Sequence, residues 1–197
     1  GFRNLEKGAL CPAKDINIIY GKNAQGKTNL LEAMWLFTGS RSFRGTRDAD
    51  TIAFGRENAE LGIKFTAGDR EQEAKLFIEK KRSAFLGGIP LVSPRKLSEH
   101  FHAVVFSPVH LTLIKGSPEE RRNFLDAAYC QLRPGYYKIL ADYHRALAQR
   151  NALLKSIREG GPAASIEEWN ENLAGSGARI FAARTAYIRR LNAVARD

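Results

Sequence analysis

Cysteine is nearly missing from this sequence, and what little there is excludes two whole classes. Cys11 and Cys130 stand apart with no C-x-x-C spacing, so neither a disulfide framework nor a cysteine zinc site is indicated. No apolar run approaches the roughly 18 residues that suggest a membrane-crossing helix. The start also lacks a charged segment followed by an apolar stretch, as a secretory signal would have. A cytoplasmic protein without a membrane partner is therefore expected. Acidic residues are outnumbered, 21 Asp and Glu against 31 Lys and Arg, for a formal charge of +10. That surplus suits an anionic partner larger than a nucleotide, although a merely soluble basic protein would show it too. The Asn-Lys-x-Asp pattern by which a GTPase reads its base does not occur. With 44% hydrophobic content, the chain can bury a sizeable core in one or two domains.

The strongest feature present is Gly21-Lys22-Asn23-Ala24-Gln25-Gly26-Lys27-Thr28, which fills every fixed position of G-x-x-x-x-G-K-[ST]. Ile16 to Tyr20 before it is a β-branched and aromatic run that predicts a buried strand. Lys27 to Phe37 after it has Leu30, Leu31, Met34, Trp35 and Phe37 at helix spacing. Strand, glycine loop and helix are the context a phosphate-binding loop requires; a plain glycine turn is the alternative. Gly21 and Gly26 allow backbone conformations that turn successive N–H groups onto phosphate oxygens. The helix N-terminus adds positive potential. In that geometry Lys27 reaches the β- and γ-phosphates of a nucleotide, and the Thr28 hydroxyl ligates Mg²⁺.

Downstream, Gly39 to Asp48 forms a basic loop with Arg41, Arg44 and Arg47 at spacing three and Phe43 between them. Phosphate contacts with a stacking ring, or a solvated loop, are both open readings. Residues 49–54 predict a short helix. Ala59–Thr66 and Glu73–Glu79 predict strands joined by a Gly68-Asp69 turn, with another turn at Gly87-Gly88. Lys80-Lys81-Arg82 and Arg121-Arg122 are further basic candidates for DNA, though lysines at strand ends also serve as edge protection. His100 and His102 precede an apolar run, Ala103 to Phe106, that predicts a second buried strand; without a third nearby ligand they read as packing rather than metal binding.

From Lys115 the period becomes helical. Ser117-Pro118-Glu119-Glu120 is a capping box with proline at the first position. A second helix is predicted from about Pro134 to Arg158, its apolar row stepping by four and three and interrupted at Arg150. After Gly160-Gly161-Pro162, a second capping box at Ser165 to Glu168 starts a third helix with Trp169, Leu173, Ile180, Tyr187 and Leu191 facing inward. Two such helices make a coiled-coil-like hairpin about 40 Å long.

Taken together, Phe2-Arg3-Asn4, the loop continued as Asn29-Leu30-Leu31-Glu32-Ala33, Gly39 to Arg44 with Arg47-Asp48, Phe106-Ser107-Pro108, Lys115 to Asp126 and Gln149 to Lys155 resemble the RecF recombination mediators. These belong with the SMC-like branch of the ABC-type ATPases, and the resemblance spans the whole chain. It implies an α/β P-loop lobe with a mixed sheet over residues 1–115 and a helical arm over 116–197. It implies an ATP-binding DNA replication, repair and SOS-response protein. Such a protein binds double-stranded DNA, hydrolyses ATP slowly, dimerises with ATP, and acts with RecR and RecO to place recombinase at single-strand gaps. It further implies that Arg3 and Asn4 lie near the nucleotide. Where the family has an acidic pair after Phe-Ser-Pro, this chain has Val109-His110. The family's signature motif and acidic strand end are expected beyond residue 197, so no complete catalytic set is expected within it. Another SMC-like or transporter-type nucleotide-binding subunit is the alternative; a helical arm of this length argues against the transporter.

Overall fold

Alternation of Leu61, Ile63 and Phe65 dictates where the sheet turns its apolar face, and the main chain follows it. The computed structural model describes residues 1–161 and 166–195. They fall into two units, Gly1–Lys115 and Gly116–Asp197. In the first, strands β1 (Ala59–Ala67), β2 (Arg70–Ile78), β3 (Arg82–Leu86) and β4 (Ile89–Pro90) form a meander in sequence order. Every pairing is antiparallel, so the expected mixed sheet is, among the described residues, antiparallel throughout. Asp69 and Gly68, both at positive φ, make the two-residue turn between β1 and β2.

Helix α1 (Lys27–Leu36) packs its Ala33 and Leu36, with Phe37 beyond its end, into one core with Phe2, Ala59, Ala74, Leu76, Ile78, Ala84 and Leu97. This is the opposite side of the helix from part of the apolar row that the sequence suggests. Glu32 is buried while Leu31 and Met34 are exposed. The turn that follows the helix ends at Gly39, whose φ is +74 and where an added Cβ would sit 2.7 Å from the Arg95 Cα. That close approach brings the Pro94–Glu99 3-10 segment, capped by Ser93, against the end of α1. The short helix expected over 49–54 is a 3-10 turn at Asp48–Thr51, followed by a bridge from Ile52 to Phe2.

Two predicted strands are not strands. Residues 16–20 and 103–106 belong to no ladder among the described residues, and Ile16, Ile18, Tyr20, Val104 and Phe106 are exposed. Asn17 instead closes a local ring, its amide donating to the Ala13 carbonyl (2.9 Å) while its side-chain oxygen accepts from the Ala13 N–H (2.8 Å). Pro108–Leu111 is a 3-10 turn leading into α2 (Thr112–Lys115).

In the second unit, α3 (Pro118–Leu132), α4 (Tyr136–Arg158) and α5 (Ile166–Val194) surround Cys130, Tyr136, Leu140 and Ile180. The first capping box forms as the sequence predicts, with Glu120 accepting from the Ser117 N–H at 2.7 Å. The second, at Ser165, lies outside the described residues, as does Pro162. Helices α4 and α5 pack along each other. Arg150, the break in the apolar row, donates from Nε to the Asn170 side chain at 2.6 Å and so spans the hairpin. Asp126 ties the three helices. It accepts from the Tyr136 hydroxyl (2.7 Å) and from Arg184 Nε (2.9 Å) and Nη2 (2.7 Å). Burial, with the neighbouring Asp126 carboxylate, pushes the Tyr136 phenol well above its ordinary pKa. Leu191, expected to face inward, is exposed because α5 outruns its partners there.

Candidate functional site

The glycine loop closes directly onto helix α1. Gly26 has φ +95 and caps the helix in a left-handed conformation, with Lys27 as the first helical residue. Ala24 at the loop's apex is also left-handed, with φ +64. A Cβ on Gly26 would lie 2.7 Å from Leu5 Cδ2 and 2.8 Å from Asn4 Oδ1, besides straining the backbone. Glycine is therefore dictated here by both conformation and space.

Residues Gly21, Lys22, Asn23, Ala24, Gln25 and Thr28 are exposed, whereas Gly26 is buried. Lys27 curls back over the loop, its ammonium donating to the carbonyls of Gly21 and Lys22, each at 2.7 Å. The charge is thus held inside the ring of the loop, at the positive end of α1. Thr28 stands next to it on the first turn. The loop, the ammonium and the hydroxyl together suit the phosphates of a nucleotide and a hard cation.

Asn4 reaches the loop, while its neighbour Arg3 turns elsewhere. The Asn4 amide donates to the Ala24 carbonyl (2.8 Å), and its oxygen accepts from Asn29 (2.7 Å), so Asn4 stitches the loop to the first turn of α1. Arg3, at φ +53, turns its guanidinium to Glu32. Nε donates to Oε2 at 3.1 Å and Nη2 to Oε1 at 2.7 Å, with further bonds to Thr46 Oγ1 and the Asp50 carbonyl.

Glu32 is the residue that reading the sequence missed as a site residue. Its carboxylate has no exposed surface. It also accepts from the Ser42 hydroxyl (2.5 Å) and lies 3.4 Å from Arg44 Nη1. Burial pushes its pKa up, but the hydrogen bonds from Arg3 and Ser42 and the charges of Arg3 and Arg44 more than offset this, holding it below the ordinary carboxylate value. The available signal was an acid set among apolar residues of a helix, which calls for a buried cationic partner.

The basic loop divides. Arg41, Arg44 and Arg47 are all exposed, but they differ in their contacts; the Arg41 carbonyl accepts from Trp35 Nε1 at 2.8 Å. Arg44 turns inward, donating to Asn29 Oδ1 at 2.8 Å as well as approaching Glu32. Phe43 packs edge-on against Trp35, ring centroids 6.3 Å apart. Arg82 is structural. Its Nε lies 3.2 Å from Asp48, and its Nη1 donates to the carbonyls of Ser40 and Leu36. Arg121 and Arg122 are exposed in the second unit, with Arg121 donating to the Gly116 carbonyl. Among the described residues there is no group of three or more His, Cys, Asp or Glu placed to hold a metal, and no helix long and apolar enough to cross a membrane.

A family profile described as an AAA domain matches residues 1–172. The chain belongs to the AAA-domain family. Its fold is that of the P-loop NTPases, and solved structures of RecF share it. One, described as the recombination mediator protein RecF with ATP in the RecFOR pathway, superposes with a TM-score of 0.91 at 36% identity, over 96% of this chain and 52% of that one. The DNA replication and repair protein RecF of Acetivibrio thermocellus is 36% identical over 96% of the chain and 52% of its own length. That of Clostridioides difficile is 34% identical over 96% of the chain and 51% of its own length. The chain spans about half the length of the curated relatives it matches.

Proposed function

We propose that this AAA-domain chain carries the ATP-binding part of a DNA replication and repair protein of the RecF type. The observation that carries the proposal is the complete phosphate-binding loop, Gly21 to Thr28, closed onto the N-terminus of α1 with Lys27 held over its ring. The likeness to RecF solved with ATP supports the same reading. Gly21 to Thr28 would cradle the phosphates, with Asn4 bracing the loop and Arg3 placed beside it. Thr28 would supply one ligand to Mg²⁺, which when bound neutralises charge on the phosphates. Residues 1–115 serve as the nucleotide lobe and 116–197 as a helical arm.

Double-stranded DNA is the macromolecular partner that the +10 charge fits, with Arg41, Arg47, Arg121 and Arg122 as the candidate contacts; Arg44, bonded to Asn29 and paired with Glu32, is less available than these. In the full-length protein we place these activities in recombinase loading near single-strand gaps, with RecR and RecO and an ATP-dependent homodimer. Slow hydrolysis there would draw on acidic groups beyond Gly21 to Thr28.

The test is calorimetric titration of ATP with Mg²⁺ into the full-length protein and its Lys27→Ala variant. Binding to the parent should be lost in the variant, since the charge facing the β- and γ-phosphates is gone while the strandless loop and helix remain. Equal affinity in the two proteins would remove the loop from nucleotide binding.

A further inference from the structure

One carboxylate, fully buried on α1, meets two guanidiniums from opposite flanks of the site. Arg3 arrives from the segment that presses Asn4 and Leu5 onto Gly26, and Arg44 arrives from the basic loop. Arg44 is held twice, by Glu32 and by Asn29, and Asn29 in turn holds the Asn4 that donates to Ala24. A continuous set of hydrogen bonds therefore runs from the apex of the phosphate loop to the middle arginine of the basic loop. Its neighbours Arg41 and Arg47 are exposed like Arg44, but it is Arg44 whose guanidinium bonds Asn29 and approaches Glu32.

We propose that Glu32 is a positioning residue that assigns Arg44 to the phosphate loop's side of the molecule and withholds it from the DNA-facing set. The inference rests on the ATP-binding and DNA-binding reading above. Two positive charges share one negative, so one unit of positive charge stays uncompensated beside the first turn of α1. Glu32 also braces Arg3, which is held at a left-handed backbone position, and through it the Asn4 contact to the loop. Removing its charge loosens both tethers together. The loop loses its brace, and a flexible guanidinium, already 40% exposed, swings out beside Arg41 and Arg47.

The effect is opposite for the two ligands, which a merely structural acid would not produce. In full-length Glu32→Gln, ATP affinity should fall by about tenfold, the size of one charged hydrogen bond. Duplex DNA affinity at low salt should rise. The slope of log K against log salt should steepen by about 0.9, the mark of one added phosphate contact. The double variant Glu32→Gln/Arg44→Ala should lose the gain and return to the parental slope or a shallower one.

Asn29→Ala, which leaves the buried charge pair intact, should move both affinities in the same opposed directions by smaller amounts. It decides the matter should Glu32→Gln fail to fold. ATP and DNA affinities falling together, or a DNA slope unchanged in both variants, would overturn the proposal while parental ATP binding left the functional reading standing. A parent that binds no ATP would count against that reading instead.

Discussion

The sheet β1–β4 and the two segments at 16–20 and 103–106 are written in similar alphabets. The strands draw on Ile, Leu and Phe, the segments on Ile, Val, Phe and Tyr, and both alternate or run apolar over strand lengths. One set is a four-stranded meander with Leu76, Ile78 and Ala84 fully buried; the other leaves Ile18 and Val104 open to solvent. The difference is partnership. A strand acquires its hydrogen bonds and most of its packing from a neighbour, so β propensity describes a surface that fits a sheet, not a sheet. Hairpin turns at Gly68-Asp69 and Gly87-Gly88 bring partners to β1–β4 within a few residues. The segments at 16–20 and 103–106 have no such turn. Phe101, immediately before the second, is anchored edge-on to Phe65 (5.3 Å) and Phe37 (6.4 Å), so the contrast begins within two residues of firm packing.

The hardest way to strain this comparison is at the centre of the sheet. Leu76→Ala removes a side chain with no exposed surface from the middle strand, and should cost about 2–5 kcal/mol in chemical denaturation. A loss below 1 kcal/mol would mean that the meander is not the rigid half of the contrast.

Helix α1 stands between the two cases, buried on one side and open on the other, and acid reports on its buried side. Glu32 has a folded pKa below its ordinary value of 4.5. The stability it contributes is therefore present above pH 4.5 and is lost as pH falls through the lower folded value. Denaturation midpoints of the parent should drop across that acid range, and those of Glu32→Gln should drop less, having started lower at neutral pH. Parallel profiles would detach Glu32 from the acid sensitivity of the unit.

The smallest effect is expected where the sequence looks most strand-like. Ile18→Ser and Val104→Ser in the 197-residue chain should each change stability by no more than about 0.5 kcal/mol. Amide hydrogens at 18 and 104 should exchange far faster than those at 76 and 84. Slow exchange at Ile18 would show that the segment finds a partner in solution.

These cases mark how far sequence reaches. The capping box at Ser117 and Glu120 is legible because its partners are three residues apart and any chain with that spacing can form it. The glycine loop and the helix start after it are legible for the same reason, since Gly21, Gly26 and Lys27 meet within a few residues of one another. Glu32 is not, because its partners arrive from Arg3, Ser42 and Arg44, and only the folded chain sets those three segments around one helix position. The inward turn of Arg44 was invisible on the same ground: three arginines at even spacing look equivalent until a carboxylate chooses among them.

The Arg150–Asn170 bond across the α4–α5 hairpin has a mechanical consequence. Long helices that meet through apolar side chains can trade one register for another, because a shift by seven residues, about 10 Å, offers nearly the same greasy seam. A single polar pair is intolerant of that trade: after a slip, the half-buried guanidinium and amide would lose each other as partners. The hairpin is therefore a strut with a pin through it rather than a pair of rails. Force or motion applied at one end of α4 is delivered at the other as a movement of the whole hairpin, not spent in sliding.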